Sequence, residues 1–129
     1  MIQHVALEVR EAEAEAEVVF WGLLGFAEVA VPATLAGRSR WVQRGATQIH
    51  VLFAEEPVVP PHGHVAVIAE AFAETCARLA AAGRIPELRE EHWGAARALV
   101  SSPAGHHVEL MAAPPPDPPD ADEASRGGA

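Results

Sequence analysis

Three histidines and one glutamate stand at spacings that suggest shared chemistry. His4 opens the run His4-Val5-Ala6-Leu7, and sixty residues later His64 opens His64-Val65-Ala66-Val67. His50 lies in Gln48-Ile49-His50-Val51-Leu52, and fifty-nine residues later Glu109 lies in His107-Val108-Glu109-Leu110-Met111. Three imidazoles and a carboxylate are a donor set for one divalent transition metal: Zn, Ni, Co, Fe or Mn. A lone histidine on a strand is ordinarily just a polar-face residue. Four donors at matching places in a repeat need more explanation. A partly buried Glu109 without a partner would pay a desolvation cost that a bound cation removes.

The elements that must position these residues also repeat. Around His4, Val5, Leu7 and Val9 alternate with polar or small residues, as in a strand with one face on a core. Residues 11–24 predict a helix, with Ala12, Ala16, Val19, Phe20 and Leu23 at helical spacing and the glutamate run as a solvated face. Strands are expected over 27–31, 40–43 and 47–53. The second half repeats this order: a strand from His64, a helix over 70–82, then strands over 86–90, 97–101 and 107–111. In every donor-bearing strand the donor sits opposite the valine and leucine face. The expectation is an α+β fold of two βαβββ modules, 1–53 and 63–113. Curved mixed sheets would enclose the metal, with helices outside. A proline-stiffened connector over 54–62 joins the modules. They form a single domain over 1–113, followed by an acidic, proline-rich tail over 114–129 that is expected to be disordered.

Other residues carry weaker signals. Arg38, Arg40 and Arg97 could hold an anionic substrate. Arg40 and Trp41 must point to opposite faces, and alternation does not say which faces inward. Trp93, in His92-Trp93-Gly94, could cover a cavity mouth or be an ordinary loop aromatic. His107 shares a face with Glu109 and could contact substrate or carry a proton; a solvent-exposed histidine fits the pattern as well. Cys76 lies on a helical stripe with Phe72 and Leu79, which points to packing rather than nucleophilic chemistry. His62 and His106 sit at turns and receive no role.

Composition narrows the partners. The formal charge of −9 disfavours nucleic acid and anionic membrane. No apolar run is long enough to span a bilayer, and the start of the chain lacks a signal-peptide pattern, so a cytoplasmic location is expected. The single cysteine excludes an intrachain disulfide.

The body of the chain resembles the vicinal oxygen chelate superfamily, which includes glyoxalase I, extradiol dioxygenases and bleomycin-resistance proteins. The resemblance rests on His4-Val5-Ala6-Leu7, Leu24-Gly25-Phe26, Gln48-Ile49-His50-Val51-Leu52, Gly63-His64-Val65-Ala66-Val67 and Pro103-Ala104-Gly105-His106-His107-Val108-Glu109-Leu110. It implies paired βαβββ modules, a homodimer, and metal ligands at His4, His50, His64 and Glu109. Two departures stand out. His50 occupies a position where glyoxalase I usually has glutamate and methylmalonyl-CoA epimerases of the same superfamily usually have glutamine. Ser102-Pro103-Ala104-Gly105 replaces a common Asp-Pro-Asp-Gly turn. The leading expectation is a metal-dependent isomerase or lyase of glyoxalase type acting on a small vicinal-oxygen compound, with Glu109 moving the proton. An Fe(II) extradiol dioxygenase using His4, His64 and Glu109 is an alternative. His50 would then crowd the oxygen site, and the chain has no tyrosine of the kind related ring-cleaving enzymes use. The third expectation is a non-catalytic small-molecule binder of the resistance-protein kind.

Overall fold

The computed structural model describes residues 1–119. In chain order the elements are β1 (His4–Val9), a 3₁₀ turn (Glu11–Glu13), α1 (Ala14–Leu23), β2 (Ala27–Val29), a second 3₁₀ turn (Ala33–Leu35), β3 (Ser39–Arg44) and β4 (Thr47–Phe53). The second half contributes β5 (His64–Ile68), α2 (Phe72–Ala81), β6 (Glu87–Arg89), β7 (Arg97–Ser101) and β8 (His107–Met111). Each half forms one four-stranded mixed sheet, ordered β1-β4-β3-β2 and β5-β8-β7-β6. In each the first strand runs parallel to the last, and the other pairs are antiparallel. A parallel pair needs a crossover, and the intervening helix supplies part of it. The α+β, two-module architecture expected from the repeat is present.

Alternation sets the faces. Val9, Val42, Ile49 and Val51 are buried on the helix side of the first sheet, and Val67, Ala98, Val100, Val108 and Leu110 on that of the second. One cluster joins Phe20, Trp21, Val42 and Ile49 to Leu79, Val100, Val108 and Leu110. The helix-side faces of the two sheets therefore share one core. Fully burying residues such as Trp21, Phe20 and Leu110 contributes about 1.5–3 kcal/mol each. Gly25, at φ 90°, ends α1 in the left-handed region that a β-carbon disfavours.

The buried stripe of α1 differs from the expected one. Ala14, Glu17, Phe20 and Trp21 are buried, while Val19 is 57% exposed. The large Trp21 ring takes the central place in the core and turns the helix so that Val19 faces outward. Glu17, expected on a solvated face, is fully buried; its Oε1 accepts the backbone N–H of Ala104 at 2.6 Å, while its buried Oε2 has no hydrogen-bond partner. Cys76 packs half-buried against the core, and burial raises its thiol pKa. Residues 114–119 are exposed and lack regular structure; the rest of the expected disordered tail, 120–129, lies outside the described residues. No described helix is long and apolar enough to cross a membrane.

Candidate metal and substrate site

The two halves place their donors by the same register. In the first sheet His4 opens β1, and Ala6, two residues on, pairs with His50 of β4. In the second His64 opens β5, and Ala66, two residues on, pairs with Glu109 of β8. His4 and His50 therefore share the face away from the helix, as do His64 and Glu109. An alanine between each pair leaves room above the sheet.

The second pair converges. His64 Nε2 lies 3.6 Å from Glu109 Oε2. His64 Nδ1–H donates to the His62 carbonyl at 3.0 Å, so Nε2 is the ring atom that faces the carboxylate. A backbone carbonyl on the far ring nitrogen is the usual support of a metal-ligating histidine. Glu109 is 8% exposed, and its Oε1 accepts from Arg97 Nε at 2.7 Å. Arg97 also donates from Nη1 to the Glu90 carbonyl at 2.9 Å. One carboxylate oxygen is thus held by a guanidinium while the other faces His64.

The first pair is arranged differently. The His4 and His50 rings are stacked, with centroids 4.0 Å apart and planes 13° from parallel. Trp41 stacks on the other face of His50, also at 4.0 Å and within 2° of parallel. Trp41 pairs directly with His50 across β3 and β4, so its indole must share the donor face. Its Nε1–H donates to Ser39 Oγ at 3.0 Å, fixing the ring. His4 Nδ1 is bonded to Gln3 Oε1 at 2.7 Å and His50 Nε2 to Gln48 Oε1 at 2.8 Å. Burial, and then the nearby His4, lower the pKa of His50 below the ordinary histidine value.

Among the described residues, no three histidine, cysteine, aspartate or glutamate side chains come close enough to hold a metal ion. One chain therefore holds the four donors as two separate pairs, His4 with His50 and His64 with Glu109. The physical reason is the shared core: joining the helix-side faces leaves each donor pair on the outer face of its own sheet. By chemistry the donors fit a divalent transition metal. By position they fit one only if another donor face approaches.

The remaining sequence-predicted residues divide. Arg97 and His107 lie on the donor side of the second sheet. His107 lines a cleft of about 360 Å³ with Arg84, Arg89 and Ser101. Arg40 lies on the other side of its sheet, in line with buried Val42, where it pairs with Glu28 and Glu15; it does not reach the donor face. Trp93 donates its indole N–H to the Ala113 carbonyl at 3.0 Å, which ties its loop to the end of β8. Sequence reasoning left open whether Trp41 or Arg40 faces inward and gave no role to Gln43 or Gln48. Their signal was available in principle: Gln48 shares a face with His50, and an antiparallel neighbour can bring Trp41 opposite it.

The sequence matches no protein-family model and no curated protein. Solved structures do match. A glyoxalase family protein from Bacillus anthracis aligns at TM-score 0.79 and 24% identity, over 86% of this chain and 93% of that one. The chain has a glyoxalase-like fold. Lactoylglutathione lyase from Agrobacterium tumefaciens aligns at TM-score 0.66 and 20% identity, over 86% and 92% of the two chains. An antibiotic-binding protein from a Streptomyces species aligns at TM-score 0.67 and 22% identity, over 86% and 93%. One fold thus serves both enzymes and binders, so activity has to be argued from the site.

Proposed function

We propose that this protein is a divalent-metal-dependent enzyme of glyoxalase type acting on a small dicarbonyl or hydroxy-carbonyl compound. Its site is completed between two copies of the chain. The observation that carries this reading is the convergence of His64 Nε2 and Glu109 Oε2 at 3.6 Å, at a register that repeats for His4 and His50. In a homodimer, the His64–Glu109 face of one copy meets the His4 face of the other. Ile2 and Leu52, exposed near that face, become covered. A bound divalent ion supplies Lewis-acid polarisation of two neighbouring substrate oxygens. Glu109 takes and returns the proton through Oε2, while Arg97 on Oε1 fixes the carboxyl plane. In the cleft lined by Arg84, Glu87, Arg89 and His107, Arg89 already pairs with Glu87, which leaves Arg84 to hold an anionic substituent of the substrate.

The test is elemental analysis of protein purified without chelators, for wild type and His64→Ala, beside a screen of dicarbonyl and hydroxy-carbonyl substrates. The expected result is one transition-metal ion per chain in wild type and strong loss in the variant. Wild type that takes up no metal from excess Zn²⁺, Ni²⁺, Co²⁺, Mn²⁺ or Fe²⁺ rules the proposal out.

A second reading, a non-catalytic small-molecule binder, has its own support. Arg97 already neutralises Glu109, and the Trp41–His50–His4 stack offers aromatic surface. Tight binding of an aromatic compound by metal-free protein, without turnover, favours that reading.

A further inference from the structure

Two guanidiniums meet at the C-terminal end of α1, one from each module. Arg44, the last residue of β3, donates from Nη1 to the Leu24 carbonyl at 3.4 Å. Arg78 of α2 donates from Nη1 to the neighbouring Leu23 carbonyl, also at 3.4 Å. The stem of Arg44 runs along Gly25, where a β-carbon would stand 3.5 Å from Arg44 Cδ. Both hydrogen bonds are long, and each uses one N–H of a group that has several. Among the described residues, neither guanidinium has another hydrogen-bond partner and neither forms an ion pair.

The carbonyl end of a helix attracts a cation, which accounts for either arginine alone. It does not account for two. Adjacent carbonyls bring the two side chains to within roughly a Debye length of each other, and their charges repel. The chain has 18 acidic side chains against 9 basic ones, yet no described carboxylate pairs with this couple. The two arginines line a cleft of about 200 Å³ between the modules, together with Gly25, Glu70, Ala71 and Thr75. Glu70 is exposed and bonds to neither arginine. Ala71 caps α2 without a side-chain hydrogen bond, so the positive end of that ten-residue helix borders the same cleft.

We propose that this cleft is an oxyanion site, in which Arg44 and Arg78 together hold a phosphate ion or the phosphoryl end of a small ester. A guanidinium offers paired N–H groups that match two oxygens of a phosphate, so two arginines share one tetrahedral ion. Arg44 and Val67 also line an adjoining groove with Phe26 and Ile68, where the apolar part of an ester would lie. A bound anion removes the repulsion and ties the first module to the second. None of the four metal donors takes part, so the site stands or falls apart from the metal-centre reading.

The test uses metal-free protein in phosphate-free buffer at constant ionic strength. Proton–nitrogen amide spectra are followed while inorganic phosphate or butyl phosphate is added, for wild type, Arg44→Gln, Arg78→Gln and Glu70→Gln. The expected result is saturable shifts at the Gly25, Ala71 and Thr75 amides, with a Kd on the order of 1 mM. Each arginine variant should bind about tenfold more weakly or worse, and Glu70→Gln more tightly. The same spectra report whether each variant is folded, and Glu70→Gln keeps the test decisive if an arginine variant is not. Tighter binding of butyl phosphate than of inorganic phosphate identifies the ligand as an ester; equal or weaker binding identifies the free ion. No saturable shift with either probe up to about 50 mM overturns the proposal. So does unchanged affinity in either folded arginine variant, or weaker binding in Glu70→Gln.

Discussion

Glu17 of α1 accepts the backbone N–H of Ala104 at 2.6 Å, across 87 residues of sequence. The acceptor belongs to the first half of the chain and the donor to the β7–β8 turn of the second. Beside this contact, buried His106 donates from Nε2 to the Glu8 carbonyl of β1 at 2.7 Å, and its own backbone N–H goes to Ser102 Oγ at 3.0 Å. The turn that delivers β8, and hence Glu109, is therefore pinned to the first module from two directions.

Replacing Glu17 by alanine should be costly. It leaves the Ala104 N–H without its partner and opens a gap at a fully buried position. The expected loss is about 2–4 kcal/mol in urea unfolding. Glu17→Gln retains an acceptor oxygen and should lose less. A Glu17→Ala protein within about 0.5 kcal/mol of wild type would mean that the contact contributes nothing net.

The Arg40 network should behave as a surface feature. Arg40 holds Glu28 by paired hydrogen bonds at 2.7 and 2.8 Å and also reaches Glu15. The hydrogen bond from Arg40, aided by its charge and opposed by burial, lowers the Glu28 pKa. A carboxyl depressed in the folded state stabilises the fold most above its unfolded pKa. That contribution is lost as pH falls through the depressed folded value. Arg40→Ala should therefore destabilise by less than about 1 kcal/mol at neutral pH. The difference from wild type should shrink in strong acid and in high salt. Unfolding curves at several pH values check this; a gap that widens in acid contradicts it.

Much of this structure could be read from strand alternation, and the exceptions have physical causes. Period two put His4, His50, His64 and Glu109 on faces opposite the valines, and the register bears this out. Alternation alone could not choose between Arg40 and Trp41, because Trp41 and Val42 are both apolar and stand on opposite faces of β3, so either face could have met the core. Glu17 was indistinguishable from Glu11, Glu13 and Glu15, since its partner is a backbone amide of a distant turn. His106 was likewise hidden, its acceptor being a carbonyl 98 residues away. Above all, alternation says which face of a sheet a donor is on, not how two sheets dock. That is why the four donors stand as two separate pairs in one chain.

Arg97 gives a direct handle on the charge at the site. It is the cation bonded to Glu109, with side-chain exposures of 18% and 11% for the two partners. Arg97→Ala leaves a nearly buried carboxylate without that partner, and the metal-free variant should be less stable by about 2–4 kcal/mol. A divalent ion at Glu109 replaces the missing charge. Thermal midpoints should therefore rise more on Zn²⁺ addition in the variant than in wild type. Equal rises in the two proteins would count against a cation binding at Glu109.

The assembly of the site can be tested by mixing two defective proteins. If His4 comes from one copy and His64 with Glu109 from the other, a His4→Ala homodimer has no intact site, and neither has a His64→Ala homodimer. A mixed dimer is different. The His64→Ala chain still offers His4, and the His4→Ala chain still offers His64 and Glu109, so one interface is complete and the other lacks both histidines. Random re-pairing after mild unfolding puts about half the molecules in mixed dimers, each with one of two sites restored, or about a quarter of wild-type capacity. A site built within one chain gives no recovery at any mixing ratio, because every chain lacks a ligand. The measurement is bound Zn²⁺ per chain after equal mixing, refolding and desalting, with each variant refolded alone as control. Recovery near a quarter supports a shared site. Recovery no greater than in the controls, when wild type treated the same way regains its metal, excludes it.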